Sequence, residues 1–122
     1  MPSTLRVDST MVGDVCVVQF LDRQLFDERV VREIADQVSE LLPGDGTPIK
    51  VVLDFSNVEL ISSSLLSKLI MILRRVDASH GQLRLCELTP ILQAVFRTSN
   101  LDRLFKIDRD RRAALTHLGV PS

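Results

Sequence analysis

The chain has 122 residues, of which 45% are hydrophobic and 25% are charged, and its formal net charge is −1. These values are typical of one globular domain with a buried core, and residues 1–122 are predicted to form that domain. A net charge near zero argues against attraction of the whole molecule to nucleic acid. No apolar run approaches the ~20 residues of a membrane-spanning helix, and the first six residues lack the layout of a signal peptide. We therefore expect a cytoplasmic protein without membrane insertion.

The N-terminal part of the chain predicts a β-hairpin followed by a helix. An amphipathic strand over Leu5–Met11 and an apolar strand over Val15–Phe20 are separated by a Gly-Asp turn. A loop is expected over Asp22–Phe26, and Asp27 is a favourable N-cap residue for the helix that follows. The apolar residues at helical spacing are Val30, Ile34, Val38 and Leu41.

The middle of the chain predicts a buried strand and a largely covered helix, with three serines between them. Lys50–Phe55 is a short apolar run typical of a strand buried on both faces, and Leu65–Leu73 is typical of a helix. Ser62-Ser63-Ser64 lies between these elements. A serine at a helix start accepts a backbone N–H bond worth roughly 1 kcal/mol, and one serine suffices for that. At least one hydroxyl is therefore free for modification or contact.

The C-terminal part predicts a strand over Gln82–Cys86 after a turn at His80-Gly81, then a helix that begins at Thr89-Pro90. A brief strand follows, and Asp108 is predicted to cap the last helix. The order β-β-α-β-α-β-α-β-α predicts an α/β fold with a mixed sheet of about five strands, an N-terminal hairpin and four helices. Ligands usually bind at the carboxyl ends of such strands, and the serine triplet follows one of these ends.

The remaining polar residues do not form a familiar catalytic or metal-binding pattern. The aspartates are scattered without His or Cys at ligand spacing, so no metal and no cofactor are predicted. Cys16 and Cys86 are predicted to be buried reduced thiols, and Asp54 to cap a turn. His117 is expected at the surface in the last helical turn. A small hydrolase that uses Ser63 and His80 would be a further hypothesis, but the chain lacks a Gly-x-Ser-x-Gly elbow.

Two motifs resemble the STAS domain, named for sulfate transporters and anti-sigma factor antagonists. The family has a strand ending in Asp/Asn-aliphatic-Ser, then aliphatic-Asp-Ser-Ser/Thr-Gly-Leu before a helix. Leu53-Asp54-Phe55-Ser56 and Ile61-Ser62-Ser63-Ser64-Leu65-Leu66 match these motifs here. The likeness continues through Gly81–Cys86, Asn100–Phe105 and Ala114–Val120, and it covers most of the chain from about Pro48 onward.

The resemblance implies a bacterial anti-sigma factor antagonist that is switched by phosphorylation and is not an enzyme. Its expected partner is an anti-sigma factor, which is also the serine kinase, or a related signalling protein. The phosphorylated serine corresponds to Ser63. Ser62 replaces the family's Asp and Leu65 its Gly, so Ser62 and Ser64 are alternative acceptors. The partner-binding residues that the resemblance implies are Asp22, Asp27, Asp54, Ser62, Ser63, Ser64, Leu65 and Lys68.

A second hypothesis is a constitutive STAS scaffold or a transport-accessory binding module. In that case the three serines only cap the helix, and no phosphorylation takes place. The two hypotheses differ in one measurable property, which is whether partner binding depends on the charge at Ser63.

Overall fold

The computed structural model describes residues 4–121; the signal-peptide prediction rests partly on residues 1–3, which lie outside the described part. The strands are β1 (Val7–Val12), β2 (Val15–Phe20), β3 (Gln24–Leu25), β4 (Lys50–Asp54), β5 (Leu60–Ile61), β6 (Gln82–Cys86) and β7 (Lys106–Asp108). The helices are α1 (Glu28–Leu41), α2 (Ser63–Ala78), α3 (Pro90–Thr98) and α4 (Arg111–His117), with a 3-10 turn at Leu101–Arg103.

Five strands form the main sheet in the order β1-β2-β4-β6-β7. β1 and β2 pair antiparallel, and the other three neighbouring pairs are parallel. The predicted mixed sheet with an N-terminal hairpin and four helices is confirmed. Among residues 4–121, no helix has the length and apolar composition that crossing a membrane requires.

The two faces of the main sheet bury different sets of side chains, because successive residues of a strand point to opposite faces. In β4, Val51 and Leu53 contribute to a large core, whereas Val52 contributes to a smaller one. The large core contains residues of α1, α2 and α3, and the smaller one contains Ala114 and Leu118 of α4. Three helices therefore cover one face of the sheet, and α4 covers the other.

Both cysteines are buried and free, as predicted. Burial raises the pKa of the Cys16 thiol. Burial, together with the nearby carboxylates of Asp54 and Glu87, raises the pKa of the Cys86 thiol further. Neither thiol is therefore a reactive thiolate at neutral pH.

A second, two-stranded parallel sheet formed by β3 and β5 was not predicted: β3 lies in the predicted loop Asp22–Phe26, and no element was predicted for the segment that contains β5. Two-residue strands are too short to show a hydrophobic period. Their backbone bonds come from distant segments: Glu59 N–H donates to Arg23 O at 2.7 Å, and Ser62 N–H donates to Leu25 O at 3.0 Å.

The prediction that Asp108 caps the last helix is wrong. Asp110 caps α4, since its Oδ1 accepts from Ala113 N–H at 2.8 Å. Asp108 instead ends β7, where its buried carboxylate binds the Arg84 guanidinium at 2.5 Å and the His117 ring at 2.6 Å. His117 therefore does more than complement a helix dipole, because it links the end of α4 to β7.

Candidate functional site

The short β3–β5 sheet brings the N-termini of α1 and α2 together. α1 begins shortly after β3, and α2 begins shortly after β5. The Oδ1 atom of Asp27 caps α1 and accepts from Arg29 N–H at 2.8 Å, as predicted. A direct bond joins the two first turns, because Ser64 Oγ donates to Glu28 Oε2 at 3.2 Å.

The three serines have different environments. Ser62 is the N-cap of α2, and its Oγ accepts from Leu65 N–H at 3.2 Å. The hydroxyl of Ser64 is engaged with Glu28. Ser63 is exposed at the first position of α2, and within residues 4–121 its hydroxyl has no hydrogen-bond partner. Ser63 is therefore the hydroxyl of the triplet that is available to solvent and to another molecule.

Three further predicted site residues lie near this end of the molecule or along α2. Asp27 is exposed at the start of α1. Asp22 is partly buried and pairs with Arg6 at 3.1 Å, so part of its charge is neutralised inside the protein. Lys68 follows Ser64 by one turn of α2 and borders a groove between α1 and α2.

Two predicted partner-binding residues are placed inside the protein. The Leu65 side chain is fully buried in the large core, so it does not fill space on the surface where a partner would approach. The Asp54 carboxylate is also buried, binds Arg111 at 2.7 Å and accepts from Ser56 N–H at 2.8 Å. Asp54 thus caps the turn after β4, as its position suggested. Neither side chain is exposed to a partner. The prediction that Leu65 and Asp54 contact the partner is therefore corrected, and both residues have structural roles.

Two exposed apolar side chains, which the sequence did not single out, lie beside the serines. Phe26 is 54% exposed and Leu60 is 41% exposed. The parallel register pairs Gln24 with Leu60 and Leu25 with Ile61, so its continuation brings Phe26 beside Ser62. The sequence signal that could have indicated this surface is Phe26, a large aromatic residue in a segment that was predicted to be a loop.

The geometry is incompatible with the hydrolase hypothesis. Ser63 begins α2, whereas His80 follows the end of this 16-residue helix. At 1.5 Å per residue, the helix holds the two residues roughly 24 Å apart, far beyond hydrogen-bond reach. Among the described residues, no group of three or more His, Cys, Asp and Glu side chains could hold a metal ion.

Comparisons with known proteins agree with this architecture. The family model described as "Mlab, STAS domain" matches residues 25–107. BtrV of Bordetella bronchiseptica, which is named as an anti-sigma factor antagonist, is 32% identical over 87 residues that cover 71% of this chain and 70% of BtrV.

Two solved structures show the same fold. An anti-sigma factor antagonist (STAS) domain protein from Planctomyces limnophilus superposes with a TM-score of 0.82 at 22% identity, covering 96% of this chain and 100% of the other. A Thermotoga maritima protein, also named as an anti-sigma factor antagonist, has a TM-score of 0.77 at 24% identity, covering 91% and 92%. Proteins of this kind are regulatory binding proteins rather than enzymes. Since the family model spans more than half of the sequence, this chain belongs to the STAS domain family.

Proposed function

We propose that this protein is an anti-sigma factor antagonist that binds an anti-sigma factor with serine kinase activity and is released when Ser63 is phosphorylated. The observation that carries the proposal is the difference in hydrogen bonding among the three serines. Ser62 and Ser64 each make an intramolecular hydrogen bond, and Ser63 is exposed without one. Ser63 is thus the hydroxyl that a kinase can reach without breaking a bond that supports the fold.

The position of Ser63 suits a charge switch. A phosphate adds about −1.5 to −2 charge, and the first turn of a helix favours negative charge. The domain therefore tolerates the modification. The carboxylate of Glu28, bonded to the adjacent Ser64, adds negative charge to the same surface. A docked partner would meet a concentrated anionic site after phosphorylation, and the repulsion and desolvation would weaken binding.

The surface around Ser63 also offers apolar contact area. Phe26 and Leu60 are exposed beside the serines, and buried aromatic anchors commonly dominate the binding energy of interfaces. We include in the partner surface the exposed or partly exposed predicted residues and these two apolar ones. The proposed contact set is Asp22, Phe26, Asp27, Leu60, Ser62, Ser63, Ser64 and Lys68.

The proposal is tested by co-purifying the partner from native cells and mapping phosphosites on the same sample. We expect phosphate on Ser63, and we expect Ser63→Glu to weaken binding of the purified partner by about tenfold or more. Phe26→Ala is expected to weaken binding without changing the phosphosite.

Ser99→Glu is the matched control, because Ser99 is also exposed but lies at the far end of α3. α3 starts at the carboxyl end of β6, and the chain then returns to begin the parallel strand β7, so Ser99 lies toward the amino ends of these strands and away from the serine triplet. Binding by Ser99→Glu should equal that of the wild type. If Ser63→Glu and Ser99→Glu weakened partner binding equally, the result would contradict a switch that is specific to Ser63.

A second candidate function, a constitutive STAS scaffold, is supported by the structural hydrogen bonds of Ser62 and Ser64. In that case the triplet serves to start α2 and to join it to α1. Absence of phosphate in native protein, combined with unchanged partner binding by Ser63→Glu, would favour the scaffold over the switch.

A further inference from the structure

The two edges of the main sheet, β1 and β7, are protected unequally. β7 has three residues and includes Lys106 and Asp108, and short charged edge strands are poor templates for a further strand. β1 has six residues, and its segment Asp8–Met11 is exposed. β1 contains no Pro, Lys or Arg, and its register with β2 runs without a bulge. β1 is therefore the edge at which this sheet can be extended.

The turn between β1 and β2 determines which backbone groups of β1 face outward. Gly13 has a φ of +60°, and Val12 pairs with Val15 across a two-residue loop, so these two residues form a hydrogen-bonded pair. Every second residue back along β1 is then also bonded to the neighbouring strand. The donation of Leu21 N–H to Arg6 O at 2.9 Å agrees with this alternation.

The N–H and C=O groups of Val7, Ser9 and Met11 consequently point away from β2. The side chain of Gln37 covers the first of these positions, since its Oε1 accepts from Val7 N–H at 3.3 Å. Within residues 4–121, the N–H groups of Ser9 and Met11 have no partner. The open part of the edge thus consists of two donors and two acceptors.

We propose that β1 pairs antiparallel with β1 of a second copy of this chain, about a two-fold axis at Thr10. In this register, Ser9 of each copy lies opposite Met11 of the other, so the free groups of both residues are bonded. Thr10 faces Thr10 of the second copy, which is a favourable cross-strand pair. Asp8 lies opposite Val12, so no like charges meet. Val7, already bonded to Gln37, is not required.

The side chains on the α1 side of this edge are also self-complementary. Met11 is 62% exposed and borders a hollow of about 200 Å³, which is also lined by Cys16, Leu41 and Ile49. In the proposed register the two Met11 side chains are diagonal neighbours, within the reach of long side chains. Each copy therefore presents both an exposed Met11 side chain and a hollow for the Met11 side chain of the other copy, as expected of a two-fold symmetric interface. Because of this self-complementarity, we assign a second copy of the chain, rather than an unrelated strand, as the partner of β1.

Sedimentation from micromolar to millimolar concentration tests the pairing, and we expect a reversible dimer. Because Thr10 meets itself at the axis, Thr10→Lys and Thr10→Asp should each weaken the dimer, by about fivefold or more at low salt. An equimolar mixture of these two variants should restore or exceed wild-type association. Thr10 is exposed, so neither change disturbs the core.

Disulfide cross-linking tests the register. Thr10→Cys should form an intermolecular disulfide on mild oxidation, since residues opposite each other in such a non-bonded antiparallel pair have Cα atoms ≈ 4.5 Å apart. Asp8→Cys is the matched control: it is exposed on the same face, but its two copies lie about 14 Å apart along the strands. The native cysteines are buried and do not interfere.

Three outcomes would overturn the proposal. The first is a wild-type protein that remains monomeric at every concentration. The second is a dimer whose association is unchanged in the two Thr10 charge variants. The third is equal cross-linking of Thr10→Cys and Asp8→Cys.

Discussion

Helices α1, α2 and α3 cover one face of the main sheet with a large apolar core, whereas α4 covers the other with a smaller core. The first face includes aromatic rings that pack edge to face, with the centroid of Phe96 at 6.4 Å from that of Phe55 and 5.9 Å from that of Phe105. The second face is bordered by ion pairs in which the buried carboxylates of Asp54 and Asp108 bind the partly exposed side chains of Arg111 and Arg84.

The difference between the faces separates two sources of stability. Apolar burial does not depend on protonation, so the three-helix face should be insensitive to moderate acid. The α4 face depends in part on the Asp108 carboxylate, which must remain ionised to keep its contacts with Arg84 and His117. The candidate site belongs to the first face, since Leu65 and Leu69 anchor α2 in the large core. A charge added at Ser63 is therefore expected to change the surface and leave the fold intact.

The largest effect is expected from Phe96→Ala, which removes a fully buried ring from the three-helix face. The lost burial and the resulting cavity should lower the free energy of unfolding by about 3–5 kcal/mol. Urea denaturation measures this change. Ile91→Ala in the same helix is the control, since Ile91 is exposed and its removal should cost less than about 0.5 kcal/mol. Similar losses for both variants would contradict the assignment of the aromatic core.

The next largest effect is expected from Asp108→Asn on the α4 face. This variant leaves the Arg84 guanidinium without its carboxylate and removes the partner of His117, so unfolding should be easier by about 2–3 kcal/mol. Thermal and urea denaturation measure the loss. The exposed Asp102 offers a control, because Asp102→Asn should be nearly neutral. A neutral Asp108→Asn would show that the ion pairs do not stabilise the α4 face.

Acid should weaken the same contact progressively. Burial alone would raise the pKa of Asp108, but the hydrogen bonds from Arg84 and His117 outweigh it and hold the pKa below its ordinary value. A group with a lowered folded-state pKa stabilises the protein above its unfolded pKa, about 3.9, and loses that contribution as the pH falls. The stability difference between wild type and Asp108→Asn should shrink as the pH falls below about 4. A difference that grows below that pH would have the wrong sign.

The smallest effects distinguish the serines. Ser62→Ala removes the cap of α2 and should cost about 1 kcal/mol. Ser63→Ala should change stability by less than about 0.5 kcal/mol, because its hydroxyl is exposed and makes no intramolecular bond within the described residues. Denaturation of the two variants side by side measures both values. The reverse order would exchange the structural and functional roles of these two residues.

Much of the fold follows from local patterns in the sequence. The apolar run of β4, the helical spacing in α1 and the cap residues Asp27 and Thr89 each act within a few residues, so the sequence predicts them well. The serine triplet was also identified as the candidate site from its position between a buried strand and a helix. The two-residue strands β3 and β5 escaped prediction because pairing between distant segments forms them.

The sequence by itself determined the order of the elements, the mixed sheet and the position of the three serines. Only the tertiary structure decided the role of each serine, because the partner of Ser64 lies 36 residues away in the sequence. The same holds for Asp54, which Arg111 reaches from 57 residues away, and for Leu65, whose burial depends on the packing of α2. Periodicity and caps express contacts between near neighbours, whereas charge pairs and exposure depend on which distant surfaces the folded chain brings together.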